Sequence, residues 1–419
     1  MKGIVWPEPP LAWQLDRTQW LSATELARAQ RRQLDALVAH AVTSPHYEDA
    51  LRGWSGEWAT LPILARPDIS PRLASRRYPA DHGRTREVLS SRTTGEPVRV
   101  LATEATQQMW NAITLRDHAW HRRDLREKLA VIRYTESPAP PPSGARRAGW
   151  GPATDALAPD APLVVLSVAS TTDEQIAWLE REDPAYLLVY PTVLEAICRR
   201  GAKLPSLREV RTVSEALSDD TRALCREALG VPLVDVYSAE EVGYLALQCP
   251  DHACYHVQSE SVLVEILRDD GTPCEPGEVG RVIVTALRNF ATPILRYDIG
   301  DYAEVGAPCA CGRGLPALTR ITGRRRGMLR YPDGRTTWPL FTAACRRAAH
   351  FAEIQLVQDA IDKLRLRVVP DGPLDPRALV AALHGALGRD FAITVEVVDA
   401  LSRTPRGKLE EFVSLVGTT

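Results

Sequence analysis

Short apolar runs alternate with amphipathic stretches through the middle of this 419-residue chain. Runs at 163–168, 186–189, 210–213 and 233–237 are separated by helix-spaced segments at 192–200 and 219–229. That alternation predicts βαβ units on a largely parallel sheet with buried strands. Upstream, Ser22 and Glu25 make a capping-box pattern ahead of Leu26, Leu34, Leu37, Val38 and Ala41, whose three- and four-residue spacing predicts a helix with one apolar stripe. Downstream, runs at 262–267 and 281–287 flank Asp270, Gly271 and the Gly-Glu-Val-Gly of 277–280, predicting an antiparallel hairpin with a longer loop. After Gly323 the pattern restarts, with strands at 354–357, 364–369 and 393–398 around a helix near 375–387, which predicts a small α/β unit. The segment 137–162 is rich in proline and carries Gly144, Gly149 and Gly151; too poor in apolar groups to bury itself, it is expected to be a mobile loop. No repeat of solenoid period is present.

Length then favours more than one folding unit with a sizeable core. Lysine and arginine number 51 against 53 acidic residues, for a formal charge of -2, with no long single-sign block of the kind that binds nucleic acid. A small-molecule partner is the expectation. The first twenty residues carry Pro7, Pro9 and Pro10 among scattered charges, unlike a secretory signal, and no stretch approaches the roughly 18 apolar residues of a membrane helix. A cytoplasmic protein is expected, with its eight cysteines reduced and open to metal binding or packing.

Four polar segments carry candidate chemistry. Ser90, Ser91, Arg92, Thr93, Thr94 and Gly95 supply hydroxyl donors and a flexible backbone, the materials of a loop that wraps polyphosphate oxygens, though without the lysine of a Walker loop. Asp301 follows a glycine at the end of an expected strand and can accept two ribose hydroxyls at once. Lys408 follows Gly407 in a polar loop near the C-terminus. Cys249, His252, Cys254 and His256 lie within eight residues, and Cys309 and Cys311 sit on a turn flanked by proline and glycine. Such thiolates and imidazoles suit tetrahedral zinc in a closed, structural site, with six candidates for four places. Trp110, Trp120 and Trp178 are expected to belong to the core, and His118 and His121 to a helix surface.

In their order and spacing these segments resemble those of the adenylate-forming superfamily, and within it the phenylacetate–coenzyme A ligase-like branch, over nearly the whole chain. Residues 90–97 are similar to the family's Ser-Ser-Gly-Thr-Thr-Gly-x-Pro phosphate loop, and 237–243 to its Tyr-Gly-x-x-Glu-x-Gly motif. Ser214, Glu215 and Ala216 resemble its adenine-binding segment, residues 293–301 its Pro-Leu-Ile-Arg-Tyr-x-Thr-Gly-Asp run, Gly323 and Arg324 its domain junction, and 403–408 its catalytic-lysine loop. The resemblance implies that Tyr237 packs on adenine beside Ser238, Glu241 holds magnesium, Asp301 binds ribose and Lys408 is catalytic. It also favours Cys249, His256, Cys309 and Cys311 as zinc ligands, with His252 and Cys254 as alternates. The implied fold is a large α/β domain, 1–325, with parallel sheets and a smaller antiparallel, barrel-like part that binds ATP and acid, plus a small mobile α/β domain, 326–419, that carries the lysine.

The implied activity is ATP- and Mg2+-dependent adenylation of a carboxylic acid, expected to be aromatic, and transfer of the acyl group to coenzyme A. A carrier-protein thiol or an amine is the alternative acceptor, and another oxyanion the alternative substrate. A catalytically inactive nucleotide-binding scaffold is a further alternative, and the protein is open to homodimer formation. Three positions depart from the family pattern: Arg92 stands where glycine is usual, Glu96 where many relatives have lysine, and Arg326 and Gly327 where the hinge has two aspartates.

Overall fold

The computed structural model describes residues 10–89, 98–135, 143–324, 327–404 and 407–416. The phosphate-loop residues Ser90, Ser91, Arg92, Thr93, Thr94 and Gly95, and the expected boundary at 325/326, lie outside that set.

The chain opens on α1 (Pro10–Thr18), α2 (Ala23–Ala41) and α3 (Pro45–Ala50), followed by the antiparallel pair β1 (Thr85–Leu89) and β2 (Arg99–Thr103) and then α4 (Glu104–Trp120). Ser22 caps α2 in a reciprocal box with Glu25, and its stripe of Leu26, Leu34, Leu37 and Ala41 is buried. The βαβ region runs β3 (Leu129–Arg133), β4 (Ala145–Ala148), β5 (Pro162–Ser167), α5 (Thr172–Glu182), β6 (Tyr186–Val189), α6 (Pro191–Arg200), β7 (Glu209–Val213), α7 (Asp219–Leu229) and β8 (Leu233–Ala239). Antiparallel strands follow: β9 (Gly243–Gln248), β10 (Tyr255–Val257), β11 (Val262–Leu267), β12 (Val279–Ala286), β13 (Tyr297–Val305) and β14 (Ala317–Arg324).

Among the described residues, β3 to β14 join in one twelve-stranded sheet, ordered β11-β12-β13-β14-β10-β9-β8-β7-β6-β3-β5-β4. Strands β5, β3, β6, β7 and β8 are mutually parallel, and direction reverses at β9. One apolar core underlies the antiparallel half and a second, with Trp178, Leu187 and Leu194 at its centre, packs the parallel half against its helices. The hairpin expected from the two runs after residue 260 is β11 with β12.

Two expectations are corrected. From residue 143 onward the proline-rich segment is not a free loop: its Ala-Arg-Arg-Ala stretch pairs antiparallel with β5 as the edge strand β4, followed by turns in which Thr154 and Ala158 bury. His118 and His121 are not surface groups either. His118 is 3% exposed and the His121 imidazole 8%. They flank Asp117, whose carboxylate accepts from Arg123 at 2.6 Å and Arg211 at 2.5 Å and ties α4 to β7. Burial alone would raise the Asp117 pKa, but the two guanidiniums hold it below the usual carboxylate range.

The smaller unit comprises β15 (Leu329–Arg330), β16 (Thr336–Thr337), α8 (Thr342–Ala348), β17 (Phe351–Ala360), β18 (Lys363–Pro370), α9 (Pro376–Leu387), β19 (Ala392–Val397) and β20 (Phe412–Ser414). Its sheet is ordered β19-β18-β17-β20. Its core cluster draws only on residues between Leu329 and Phe412.

Gly314 fixes the loop before β14 against the α1–α2 connection. Its amide donates to the Gln19 carbonyl at 2.9 Å, and a methyl group on it would overlap the Leu21 carbonyl oxygen. Gly314→Ala should therefore cost about 1–3 kcal/mol of stability in urea unfolding. Gly385→Ala, in open space inside α9, should add about 0.5–1 kcal/mol.

Candidate active site

The reversal between β8 and β9 builds the centre of the site. Tyr237 ends the buried part of β8, and the turn closed by the Val242 amide on the Ala239 carbonyl at 3.2 Å puts Glu241 at its tip. Glu241 is 7% exposed. Burial pushes its carboxyl above the ordinary range while Arg66 and Arg324 pull the other way. Its Oε1 lies 3.9 Å from an Arg66 nitrogen and accepts from the Tyr297 hydroxyl at 3.4 Å. The Gly243 backbone lies in the left-handed region, with φ +113, and the nearest group to a Cβ there would be Trp110 at 4.0 Å.

Asp301 sits on β13 directly opposite Arg324 on β14. The Tyr237 hydroxyl donates to its Oδ2 at 2.8 Å and Arg324 Nε to its Oδ1 at 3.2 Å. Each carboxylate oxygen thus holds a protein donor and keeps a second lone pair for a ligand hydroxyl. Burial, with Asp301 beside it, pushes the Tyr237 phenol well above its usual range, so it remains a donor at any physiological pH.

The end of β7 supplies the facing wall. Ser214 adopts φ +74, a left-handed conformation costly for a non-glycine residue. Glu215 Oε2 accepts from the Thr192 amide at 3.0 Å and hydroxyl at 2.9 Å. Ala216 stands 3.7 Å from where a Cβ of Gly323 would be, so this wall adjoins the end of β14. Ser238 faces Tyr244 across β8 and β9.

Lys408 arrives from the small unit. Its described neighbours are tied together: the Thr404 amide donates to the Lys408 carbonyl at 2.9 Å, the Gly407 amide to the Thr404 carbonyl at 2.8 Å, and the Lys408 amide to the Thr404 hydroxyl at 3.1 Å. Arg403 pairs with Glu353 and donates to the Gly407 carbonyl. Gly407, at φ +76, leaves no room for a side chain beside Val168. The Lys408 ammonium donates to the Ser214 carbonyl at 2.9 Å, so groups nearly two hundred positions apart meet at the end of the parallel strands.

Away from this centre, Cys249, His256, Cys309 and Cys311 hold their ligand atoms within 4.8 Å of one another. Cys249 and Cys309 sulfurs are 3.8 Å apart, and Cys311 Sγ lies 3.3 Å from His256 Nε2. Two thiolates on one tetrahedral zinc at about 2.3 Å each would be about 3.8 Å apart, so the donor set fits the ion. The His256 Nδ1 faces the Leu315 carbonyl at 3.4 Å, which would leave Nε2 free to ligate. Of the alternates, Cys254 Sγ is 3.5 Å from Cys309 yet outside the four-residue group, as is His252.

Arg66 was not among the residues singled out from the sequence. It lies in no motif, and only the pairing of its segment with β13 carries it into the site.

No protein-family model matches the chain. Over 169 residues, 38% of the chain, it is 27% identical to a phenylacetate-coenzyme A ligase of Thermus thermophilus. Over 166 residues, 37% of the chain, it is 23% identical to an uncharacterised acyl-CoA ligase of Bacillus subtilis. These stretches span 38% and 33% of the two relatives' own lengths. Among solved structures, 2-hydroxyisobutyryl-CoA ligase in the postadenylation state, in complex with R3-HIB-AMP, superposes with a TM-score of 0.72 at 16% identity, over 95% of this chain and 91% of that one. The same ligase with 2-HIB-AMP and CoA in the thioesterification state gives 0.61 at 16% identity, over 98% and 94%. The chain has the fold of these acyl-CoA ligases, and the resemblance its motifs carry to adenylate-forming enzymes is met in both sequence and fold. No helix among the described residues is long and apolar enough to cross a membrane.

Glu411 of the smaller unit lies within electrostatic reach of Glu195 and Glu215 of the larger one. Loss of hydration, then Glu195 and Glu215, push Glu411 up to about 8, with Arg346 and Arg199 offsetting part of the effect. A carboxyl whose docked value is raised favours docking in its protonated form, so docking should weaken as pH rises from the ordinary carboxylate range to about 8 and level off above it. Small-angle scattering should show the radius of gyration growing between about pH 5 and about pH 8, and Glu411→Gln should flatten that dependence.

Proposed function

We propose that this protein activates a carboxylic acid with ATP, forming an acyl adenylate, and passes the acyl group to the thiol of coenzyme A. The observation that carries this reading is the meeting of Lys408 with the Ser214 carbonyl beside the cluster of Tyr237, Asp301, Arg324 and Glu241. A cation delivered on a separate unit to a site of buried acceptors suits a reaction in which two anions must approach.

In that reaction a carboxylate oxygen attacks the α-phosphorus, a new P–O bond forms, and pyrophosphate leaves with the electrons of the old one. Asp301 would hold the ribose hydroxyls, and Tyr237 the adenine face. Lys408 would neutralise charge gathering on the α-phosphate and the incoming carboxylate. Glu241, a buried carboxyl beside two guanidiniums, has the hard oxygen donor that magnesium prefers. Magnesium held there would supply charge neutralisation across the triphosphate. Ser90, Ser91, Arg92, Thr93, Thr94 and Gly95 are assigned the phosphate loop from sequence. We take the joint between units to lie at 325/326, with Gly327 absorbing the hinge rotation in place of the usual aspartates.

Coenzyme A is the acceptor proposed, and the aromatic class is the substrate expectation carried from the sequence. We assign Cys249, His256, Cys309 and Cys311 a structural zinc ion, and the cytoplasm is the compartment that keeps such thiols reduced.

Pyrophosphate exchange across a panel of aromatic and aliphatic acids, with product mass spectrometry in the presence and absence of coenzyme A, tests the reading. An acid-dependent exchange followed by a thioester supports it. Exchange without a thioester transfers the reading to a carrier-protein or amine acceptor, and ATP binding with no exchange for any acid leaves a nucleotide-binding scaffold. Lys408→Ala should lower acid-dependent exchange by about 10²–10³-fold while ATP still protects the protein against heat.

Elemental analysis should find one zinc per chain, lost in Cys309→Ser/Cys311→Ser together with several degrees of thermal stability. Folded wild-type protein free of metal would refute the assignment.

A further inference from the structure

We propose that a cavity between α1, α2 and the turn at 258–261 is a binding site for a small organic carboxylate, whose charge pairs with Arg288 while its aryl or short alkyl body sits among leucines. The site shares no residue with the candidate active site and stands whether or not the reaction proposed above is the one performed.

The cavity has a volume of about 150 Å³. Leu11 and Leu15 of α1, Leu21 of the α1–α2 connection and Leu26 of α2 supply its apolar wall. A cavity of roughly this size lined by aliphatic side chains takes up benzene from water. Its frame is firm. The Gln30 side-chain nitrogen donates to the carbonyls of Ser259 at 2.9 Å and Val262 at 3.0 Å, fastening α2 to the turn, and the Leu287 amide donates to the Ser261 carbonyl at 2.9 Å.

The opposite side is polar and short of partners. Ser259 is 1% exposed, and its hydroxyl, like the side-chain oxygen of Gln33, is buried with no hydrogen-bond partner among the described residues. Both residues line the cavity, as does the half-buried Arg288. Arg288 gives its Nε to the Glu260 carbonyl at 3.1 Å, and among the described residues no carboxylate stands at ion-pair distance from it. Glu260 is the nearest acid, but its carboxylate is committed to Arg116 at 2.7 and 3.1 Å and to the Thr18 hydroxyl at 2.7 Å. Arg116 and Glu260 cancel, which leaves the cavity with one uncompensated positive charge. Loss of hydration is the largest influence on Arg288 and lowers its pKa, with Glu260 offsetting part of that effect.

A guanidinium drawn out of water without a counter-ion is costly. A carboxylate supplies the missing charge and two oxygens for the arginine fork, and the Ser259 hydroxyl is a donor for the same group. A phosphate dianion would leave a second negative charge beside Glu260, and a neutral molecule would leave the guanidinium unpaired. The charges therefore select a monoanion, and the leucines select one with an apolar body.

Benzoate is the probe, with benzyl alcohol as its uncharged counterpart, both titrated into the full-length protein at neutral pH. By calorimetry, a benzoate binding event of the wild type should weaken about tenfold or more in Arg288→Gln. The same event should vanish in Ala29→Leu, which fills the cavity from α2. Benzyl alcohol should bind the wild type about tenfold more weakly than benzoate does, and Arg288→Gln should not weaken it further. In wild-type protein with labelled leucine methyl groups, benzoate ring protons should show nuclear Overhauser effects to Leu15 and Leu26, a readout that requires no variant to fold. Benzoate affinity unchanged in both variants, benzyl alcohol binding as tightly as benzoate, or benzoate contacts confined to methyl groups elsewhere would each overturn the site.

Discussion

The reversal of strand direction between β8 and β9 is the constraint on which the site depends. Parallel strands deliver their carboxyl ends to one edge of the sheet, and ligands of open α/β sheets bind in the crevice there. In this chain that edge holds Val168 and Ser214, each one residue past the end of β5 and β7, and Tyr237 near the end of β8. The antiparallel half then folds back so that Asp301 and Arg324, on β13 and β14, reach the same place from the other side. A continuous parallel sheet would have no way to bring a second set of side chains against the first.

That convergence gathers Glu241, Asp301 and Glu215, with two raised tyrosines, in a region poor in water. Carboxylates so placed need cations, and the chain supplies Arg324 from the opposite strand, Arg66 from the segment paired with the start of β13, and Lys408 from the small unit. Each arrives on a different element, so the electrostatic balance of the site reports the assembly of the whole molecule. Ser214 bears the cost in its backbone: its left-handed conformation is the one that presents its carbonyl to the lysine.

Much of this was legible in the sequence because it rests on periodicity and caps. The α2 box, the parallel strands β5, β6, β7 and β8, the β11–β12 hairpin, and β17, β18, α9 and β19 of the small unit all carry their own local signals. Strand β4 carried none: Ala-Arg-Arg-Ala at a sheet edge is held by backbone pairing to β5, which leaves its side chains free to be polar. His118 and His121 read as surface groups because a histidine on a polar-looking helix gives no hint of arginines arriving from another strand and from beyond the helix end. Arg66 was invisible for a similar reason, since its placement follows from the Leu64–Tyr297 pairing across more than two hundred residues. The motif residues Tyr237, Asp301, Arg324, Ser214 and Lys408 do come together, whereas the hydroxyl-rich segment at 90–95 falls outside the described residues.

The separate apolar core of the smaller unit has a thermal consequence. A body with its own packing can open on its own terms, and here the Lys408 ammonium travels with the lesser of the two bodies. Warming that opened the smaller unit first would part Lys408 from the Ser214 carbonyl while the twelve-stranded sheet kept its pairing.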